Sequence, residues 1–159
     1  MDKKLIAIDN LIVENARLIF KNFSGKATQF NREGDRNFCF LIEDPDLAER
    51  LTSVGWNVKT LSPREEGEAP NHYIQVTVKY GDISPKIYLV TRKAKTMLTD
   101  DTIGSLDFVE MANVDLIVRP YNWEVNGKMG VKAYVKTMYV TIVEDEFTEK
   151  YAEMEHPKE

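Results

Sequence analysis

Apolar and polar positions alternate along most of this chain, and β-branched and aromatic residues gather in short runs. A period of two is typical of β-strands that are buried on one face. The alternation predicts strands at residues 11–20, 36–42, 56–61, 72–80, 86–92, 114–125 and 128–143. The chain is therefore expected to be mainly β.

One helix interrupts the predicted strands. Asp44 suits the N-cap position and Pro45 the first helical position, the apolar residues that follow share one face, and Gly55 ends the segment. A second, shorter helical segment is expected to begin at Thr99, because acidic residues in its first turn are favoured by the helix dipole. The prediction is thus one or two short helices in a β protein.

Asn126–Gly127 is the clearest turn signal in the chain. Asn-Gly between alternating strands is typical of a two-residue type I′ hairpin, since both central residues need a positive φ. Residues 21–35 contain two glycines and no long apolar run, so they are expected to form a mobile excursion between strands. Many short strands, one intervening helix and no βαβ alternation predict a small, closed or nearly closed β-barrel.

The hairpin turn also predicts a strand register. If Val125 pairs with Lys128, then Tyr121 lies opposite Lys132 and Arg119 opposite Tyr134. One face of the hairpin is then small and apolar. The other face alternates basic and aromatic residues, namely Arg119, Tyr121, Trp123, Lys132, Tyr134 and Lys136.

In three other segments, basic and aromatic residues occupy the positions predicted to face solvent. They contribute Lys21, Phe23, Lys26, Phe30, Arg32 and Arg36 from residues 21–36, Tyr73 and Lys79 from residues 72–80, and Lys86, Tyr88, Arg92, Lys93 and Lys95 from residues 86–95. Lysine and arginine neutralise phosphates, and aromatic rings stack on unpaired bases. Such pairs also occur on plain solvated sheet faces, where cation–π contact stabilises them modestly. The coincidence of four such segments favours binding of a single-stranded nucleic acid.

The net charge of −5 is concentrated at the C-terminal end of the 159 residues. Residues 144–159 hold seven acidic residues and two lysines, so residues 1–143 are neutral overall. We expect one barrel domain over residues 1–143 and an acidic tail over residues 144–159. The candidate partner-binding residues of the tail are Glu144, Asp145, Glu146, Phe147, Glu149 and Tyr151.

Three interpretations of the tail stay open. It lies over the basic groove as a mimic of nucleic acid, it recruits partner proteins, or residues 145–155 form a short helix. In the helical case Phe147 and Tyr151, spaced four apart, would pack on the barrel.

Other features of the sequence indicate the cellular compartment and exclude some kinds of site. Cys39 is the only cysteine and cannot form an intrachain disulfide, which points to a reducing compartment. The N-terminal residues lack the apolar run of a signal peptide, and no apolar stretch is long enough for a membrane span. We expect a cytoplasmic protein. With two histidines and one cysteine, no Cys/His zinc site is expected, and neither is a metal or other cofactor.

Two other classes of function fit the sequence less well. A metal-dependent nuclease needs clustered carboxylates, but the predicted register separates Asp115 from Glu124 by about 30 Å and puts them on opposite parities. The sequence also lacks a Gly-rich phosphate loop and a nucleophile elbow, so an enzyme is not expected. A protein–protein adaptor or an inhibitor of a host factor is the alternative, because exposed aromatic residues and arginines also suit protein interfaces.

Several runs resemble a family of bacteriophage single-stranded DNA-binding proteins. They are IVENARLIFKNFSGK, FNREGDRNFCFLIED and NVDLIVRPYNWEVNGKMGVKAYVKTMYVTI, together with the acidic end. The resemblance extends over residues 11–151 and is most specific at Arg119–Tyr139. It implies an OB-like barrel that coats single-stranded DNA during phage replication or recombination. It also implies that the acidic tail contacts phage or host replication proteins. Whether the protein forms a homodimer stays open.

Overall fold

The computed structural model describes residues 9–63 and 65–144. Its strands are β1 (Leu11–Val13), β2 (Leu18–Asn22), β3 (Arg36–Ile42), β4 (Lys59–Leu61), β5 (Asn71–Val78), β6 (Lys86–Val90), β7 (Lys95–Leu98), β8 (Met111–Val125) and β9 (Lys128–Ile142). Helix α1 (Pro45–Ser53) follows β3, and a 3-10 helix (Ile103–Asp107) precedes β8. The prediction of a mainly β chain with one or two short helices is confirmed.

All nine strands belong to one sheet whose main path is β1-β8-β9-β5-β3-β2. The antiparallel β8–β9 hairpin lies within this path, and β5 and β6 both run parallel to β9 along its other edge. β4 pairs with β5, and β7 pairs with β6. The described β1 and β2 do not pair with each other, so the sheet is not fully closed. The segment between them is hydrogen-bonded to both β8 and β3, with the Ala16 N–H donating to the Val114 carbonyl at 2.7 Å and the Leu41 N–H to the Arg17 carbonyl at 2.9 Å, which agrees with the nearly closed barrel that was expected.

The β8–β9 hairpin has the predicted turn and register. Asn126 and Gly127 have φ values of 50° and 82°, the positive values that a type I′ turn requires. Tyr121 pairs with Lys132 and Arg119 with Tyr134. A local turn signal was sufficient here because the two strands are adjacent in sequence.

A β-bulge interrupts this register further along. Val118 pairs with Val135 but Ile117 pairs with Thr137, so Lys136 is an extra residue on β9. The bulge shifts the buried positions of β9 from odd to even numbers: Ala133 and Val135 before it, Met138 and Val140 after it. Alternation counted from the turn therefore identifies the outward residues of β9 only as far as the bulge.

The core lies between the inner face of the sheet and the segments that cover it. Phe38 and Phe40 of β3 are opposite Val76 and Ile74 of β5, and all four are buried. Phe23 is 0% exposed and stacks on Phe38 with ring centroids 5.2 Å apart. Burying each large apolar side chain contributes roughly 1.5–3 kcal/mol.

Helix α1 forms as the sequence predicts. The Asp44 carboxylate accepts a hydrogen bond from the Asp46 N–H at 2.9 Å, Pro45 opens the helix, and Gly55 follows it with φ 112°. Ala48 and Leu51 are its buried residues. The second helical segment was expected to begin at Thr99, whereas the 3-10 helix begins at Ile103.

One predicted strand is divided in two, and one strand of the structure was not predicted. The strand expected over 11–20 is two strands, because Asn15 adopts a φ of 52° and donates its N–H to the Asp115 carboxylate at 3.0 Å. β7 lies in a segment with no predicted strand, and its residues Lys95, Thr96 and Met97 are exposed. Its pairing with β6 comes from a short turn in which the Thr91 N–H donates to the Ala94 carbonyl at 2.8 Å.

The Cys39 thiol is expected to be inert in the folded protein. It is 5% exposed, and burial raises its pKa to about 11, although Lys59 nearby opposes the shift. At pH 8 only about a thousandth of the thiol would be ionised, and the thiolate is the reactive form. Titration with Ellman's reagent at pH 8 should show little native labelling and rapid labelling in denaturant. Fast native labelling would contradict the burial of Cys39.

Candidate nucleic-acid interface

A groove of about 680 Å³ lies on the outer side of β3, β5 and β9, next to the loop that joins β2 to β3. Its lining is rich in cations and rings. Seven of the predicted binding residues line it: Phe30, Arg32, Arg36, Lys79, Trp123, Lys132 and Tyr134. These residues come from three of the four basic and aromatic segments, so the fold brings together side chains that are far apart in sequence.

The groove also contains residues that the sequence analysis missed. Lys59 and Gln75 line it, with the Lys59 ammonium 3.4 Å from the Gln75 amide oxygen, and so do Asn31 and Tyr80. Lys59 faces the groove because β4 pairs with β5, with Lys59 opposite Tyr73. The sequence indicates a strand near residues 56–61, but it does not indicate which strand pairs with β4.

Tyr134 stands at the centre of a group of cations and rings. The Arg119 guanidinium lies 5.3 Å and the Lys132 ammonium 5.4 Å from the centroid of its ring. The Tyr121 ring meets it edge-on at 6.1 Å. Cation–π contact of this kind holds the charged groups beside the aromatic surface. Positive charge and aromatic surface are thus held next to each other.

Trp123 lies across its cross-strand neighbour Gly130, at one end of the groove. A Cβ on Gly130 would stand 2.5 Å from Cζ2 of the indole, which is closer than van der Waals contact allows. The indole is 36% exposed. The absence of a side chain at residue 130 therefore lets a large ring lie flat on the hairpin while one side stays accessible.

The loop between β2 and β3 is held by hydrogen bonds. The Asn31 side-chain amide donates to the carbonyls of Lys26, Arg32 and Asp35 at 3.1, 3.0 and 2.9 Å, and its oxygen accepts from the Asn37 amide at 2.8 Å. Asn37 belongs to β3, so this network connects the loop to the groove wall. The sequence predicted a mobile excursion here, but the described loop has its own internal structure.

The base of this loop is anchored to the 3-10 helix. The Asp107 carboxylate accepts hydrogen bonds from the N–H groups of Phe23 and Ser24 at 2.7 and 3.0 Å. Phe30 lies within the loop, between the paired residues Thr28 and Asn31, and is 89% exposed beside the groove. The loop thus presents one exposed ring from a fixed base.

Arg36 is packed into the wall of the groove. Its Nη2 donates to the Asp100 carbonyl at 3.0 Å, and its guanidinium carbon lies 5.9 Å from the Tyr80 ring centroid. Its buried Nε has no hydrogen-bond partner among the described residues. Burial raises the pKa of Tyr80, with Arg36 opposing the shift, so the phenol stays neutral at physiological pH.

The remaining predicted residues lie elsewhere. Phe23 is wrong as a stacking residue because its ring is in the core. Lys21 lines a separate cavity of about 440 Å³, and Tyr73 contacts Phe20 edge-on at 5.8 Å. Residues outside the lining of the groove also include Lys26 of the loop, Arg119 and Tyr121 beside Tyr134, and Lys136 at the bulge.

A second group of predicted residues is on β6, β7 and the turn between them. It comprises Lys86, Tyr88, Arg92, Lys93 and Lys95. The Tyr88 ring stacks on Tyr139 with centroids 4.9 Å apart. The Arg92 N–H donates to the Glu144 carboxylate at 2.8 Å. The other predicted tail residues, Asp145, Glu146, Phe147, Glu149 and Tyr151, lie outside the described residues.

Within residues 9–63 and 65–144, no group of three or more His, Cys, Asp or Glu side chains is placed to hold a metal ion. Asp115 instead accepts the Asn15 N–H, and Asp44 caps α1. No helix in the same described part is long and apolar enough to cross a membrane.

Over residues 1–159 the chain matches the phage ssDNA-binding domain family. It belongs to this family. The fold of this phage ssDNA-binding domain is similar to that of the single-stranded DNA-binding protein from bacteriophage Enc34, with a TM-score of 0.53 at 9% identity over 89% of each chain. The resemblance seen in the sequence is therefore confirmed, and so is single-stranded DNA as the ligand class.

Two further structures of the Enc34 protein are also similar. The complex with ssDNA has a TM-score of 0.54 at 9% identity, over 91% of this chain and 98% of that chain. The C-terminal truncation has a TM-score of 0.51 at 9% identity, over 86% of each chain. This likeness is consistent with the mainly β, OB-like fold class. Among curated proteins, none matches the chain.

Gly130→Ala is expected to displace the Trp123 indole, because the new methyl group would occupy the position of the ring. Since the indole is partly exposed and can move, we expect only a small change in melting temperature. Quenching of tryptophan fluorescence by acrylamide should increase in the variant, and its affinity for oligo(dT) should fall several-fold. Gly81→Ala, where a Cβ meets nothing within 4 Å, φ is not positive and the residue lies outside the lining of the groove, serves as the control for replacing a glycine. Unchanged quenching in Gly130→Ala would contradict the close approach of the ring.

Proposed function

We propose that this protein coats single-stranded DNA by stacking bases on the rings of the groove and neutralising phosphates with its cations. Trp123, Tyr134 and Phe30 supply the rings, and Arg32 and Lys132 supply charge beside them. The observation that carries the proposal is that the fold joins these side chains, from two segments far apart in sequence, in one groove, where Lys79 of a third segment also lies. The ssDNA complex of the similar Enc34 protein supports it.

The geometry favours binding that is largely independent of sequence. Every base has a face that can stack on an aromatic ring, and stacking contributes about 1–3 kcal/mol per base. A duplex keeps its bases paired and hidden, so only its phosphates would be available to this groove. The protein would therefore distinguish single strands from duplex through its rings.

The biological setting follows from the family. We infer a role in phage DNA replication or recombination, in the cytoplasm of the host cell, with binding rather than catalysis as the activity. The acidic tail over residues 144–159 is proposed as a separate segment that contacts phage or host replication proteins. Its charge of −5 supports this division from the neutral residues 1–143.

Oligo(dT) should bind at low salt, and duplex DNA of the same length should bind much more weakly. The logarithm of the affinity should fall with the logarithm of salt concentration, with a slope of about −0.7 for each phosphate neutralised. Fluorescence anisotropy at several salt concentrations measures both quantities. A protein adaptor would give no salt-dependent oligo(dT) binding, and that result would reject the proposal.

The rings and the cations should be separable by mutation. Combining Trp123→Ala with Tyr134→Ala should weaken oligo(dT) binding by at least about tenfold while leaving the salt slope unchanged, because stacking releases no counterions. Lys132→Ala should instead reduce the slope by about 0.7. Phe108→Ala, which removes an exposed ring outside the lining of the groove, is the matched control. Thermal melting checks that each variant is folded.

A further inference from the structure

Tyr134 and Tyr139 lie on the same face of β9, although five positions separate them. Tyr134 is opposite Arg119 and Tyr139 is opposite Asp115 on β8. The buried residues of β8 alternate without interruption through this region: Val114, Leu116 and Val118. Residues 115 and 119 therefore share the outer face of the sheet, and so do the two tyrosines. The bulge at Lys136 makes this possible by adding one residue to β9.

A cation stands on this face between the two tyrosines. Lys86 of β6 pairs with Thr137 of β9, and the next residue, Ile87, is buried. Because side chains alternate along a strand, Lys86 lies on the outer face. The charged surface thus continues from Lys132 and Tyr134 in the groove to the neighbourhood of Tyr139.

The surface ends in a second group of rings and charge. The rings of Tyr88 and Tyr139 stack at 4.9 Å with an interplanar angle of 15°. The ammonium of Lys95 lies 4.9 Å from the centroid of Tyr88 and 5.6 Å from that of Tyr139. Tyr139 is 37% exposed, and Lys95 is exposed.

We infer that Tyr88, Tyr139 and Lys95 form a second contact site for the same DNA strand, which runs from the groove along the outer face of β9 past Lys86. This inference rests on the proposed function and adds the path of the strand. A base or sugar would lie against the exposed side of Tyr139, and the phosphates beside it would meet Lys86 and Lys95. The Asp115 carboxylate, which accepts the Asn15 N–H, marks the edge that the strand avoids.

The spacing of the two sites sets the length of DNA that reaches both. Tyr134 and Tyr139 are opposite residues of β8 that are four apart, so they are separated by about 13 Å, at about 3.3 Å per residue. A stacked strand advances about 3.4 Å per nucleotide, so up to about four nucleotides separate the contacts. Oligonucleotides that fill only the groove would miss the second site. Longer ones would gain affinity because the second contact is then intramolecular.

The test is a series of oligo(dT) lengths from about 4 to about 20 nucleotides, comparing the wild-type chain with Tyr139→Ala combined with Lys95→Ala. Wild-type affinity should rise steeply with length once the second site is reached. The variant should bind the shortest oligonucleotides that bind the wild type equally well, and should lose at least about fivefold for the long ones. Arg50→Ala, which removes an exposed cation on α1, is the control for charge.

The single variant Lys95→Gln leaves Tyr88 and Tyr139 unchanged, so a loss of binding in this variant is not explained by loss of the tyrosine stack. It should reduce the salt slope by about 0.7 for long oligonucleotides and leave the slope for short ones unchanged. Equal length dependence in wild type and both variants, or equal losses at every length, would overturn the second site and leave the groove intact. Failure of the wild-type chain to bind at any length would instead overturn the proposed function.

Discussion

The backbone pairing of the β8–β9 hairpin is the constraint on which the rest of the structure depends. β9 pairs with β8 along one edge and with β5 and then β6 along the other, while β1 is added to β8. A slip of one residue in β9 would turn Tyr134 towards the core and Val135 towards solvent while Arg119 and Val118 of β8 kept their faces. The type I′ turn at Asn126–Gly127 prevents that slip, because both of its residues adopt the positive φ that the turn requires.

The bulge at Lys136 divides this hairpin into two surfaces with the same outward face. Before it, Lys132 and Tyr134 belong to the groove shared with β5, and after it Tyr139 stacks on Tyr88 of β6. Without the bulge, alternation from the buried Ala133 and Val135 would turn Tyr139 inward and Met138 outward. A local irregularity of one residue therefore decides whether one aromatic surface or two are available to a long ligand.

The groove is organised before any ligand arrives. Cations are held beside Tyr134, the Trp123 indole lies on Gly130, and the Asn31 amide connects the loop to β3. Ordering side chains on binding costs about 0.5–1.5 kcal/mol for each one immobilised, so a prearranged site retains more of its stacking energy. This arrangement suits the proposed stacking of bases on the same few rings whatever the sequence of the strand.

Elements whose signals are local could be predicted from the amino-acid sequence. Asp44 and Pro45 specify the start of α1, Asn126–Gly127 specifies the hairpin and its register, and alternation identifies the outward Tyr134. Which strands become neighbours depends on the tertiary structure, which puts β5 and β6 beside β9, and Lys59 beside the groove. It also placed Phe23 in the core and Tyr139 on the outer face. Periodicity within one strand reports which residues share a face, but pairing between distant strands depends on how the whole core is filled.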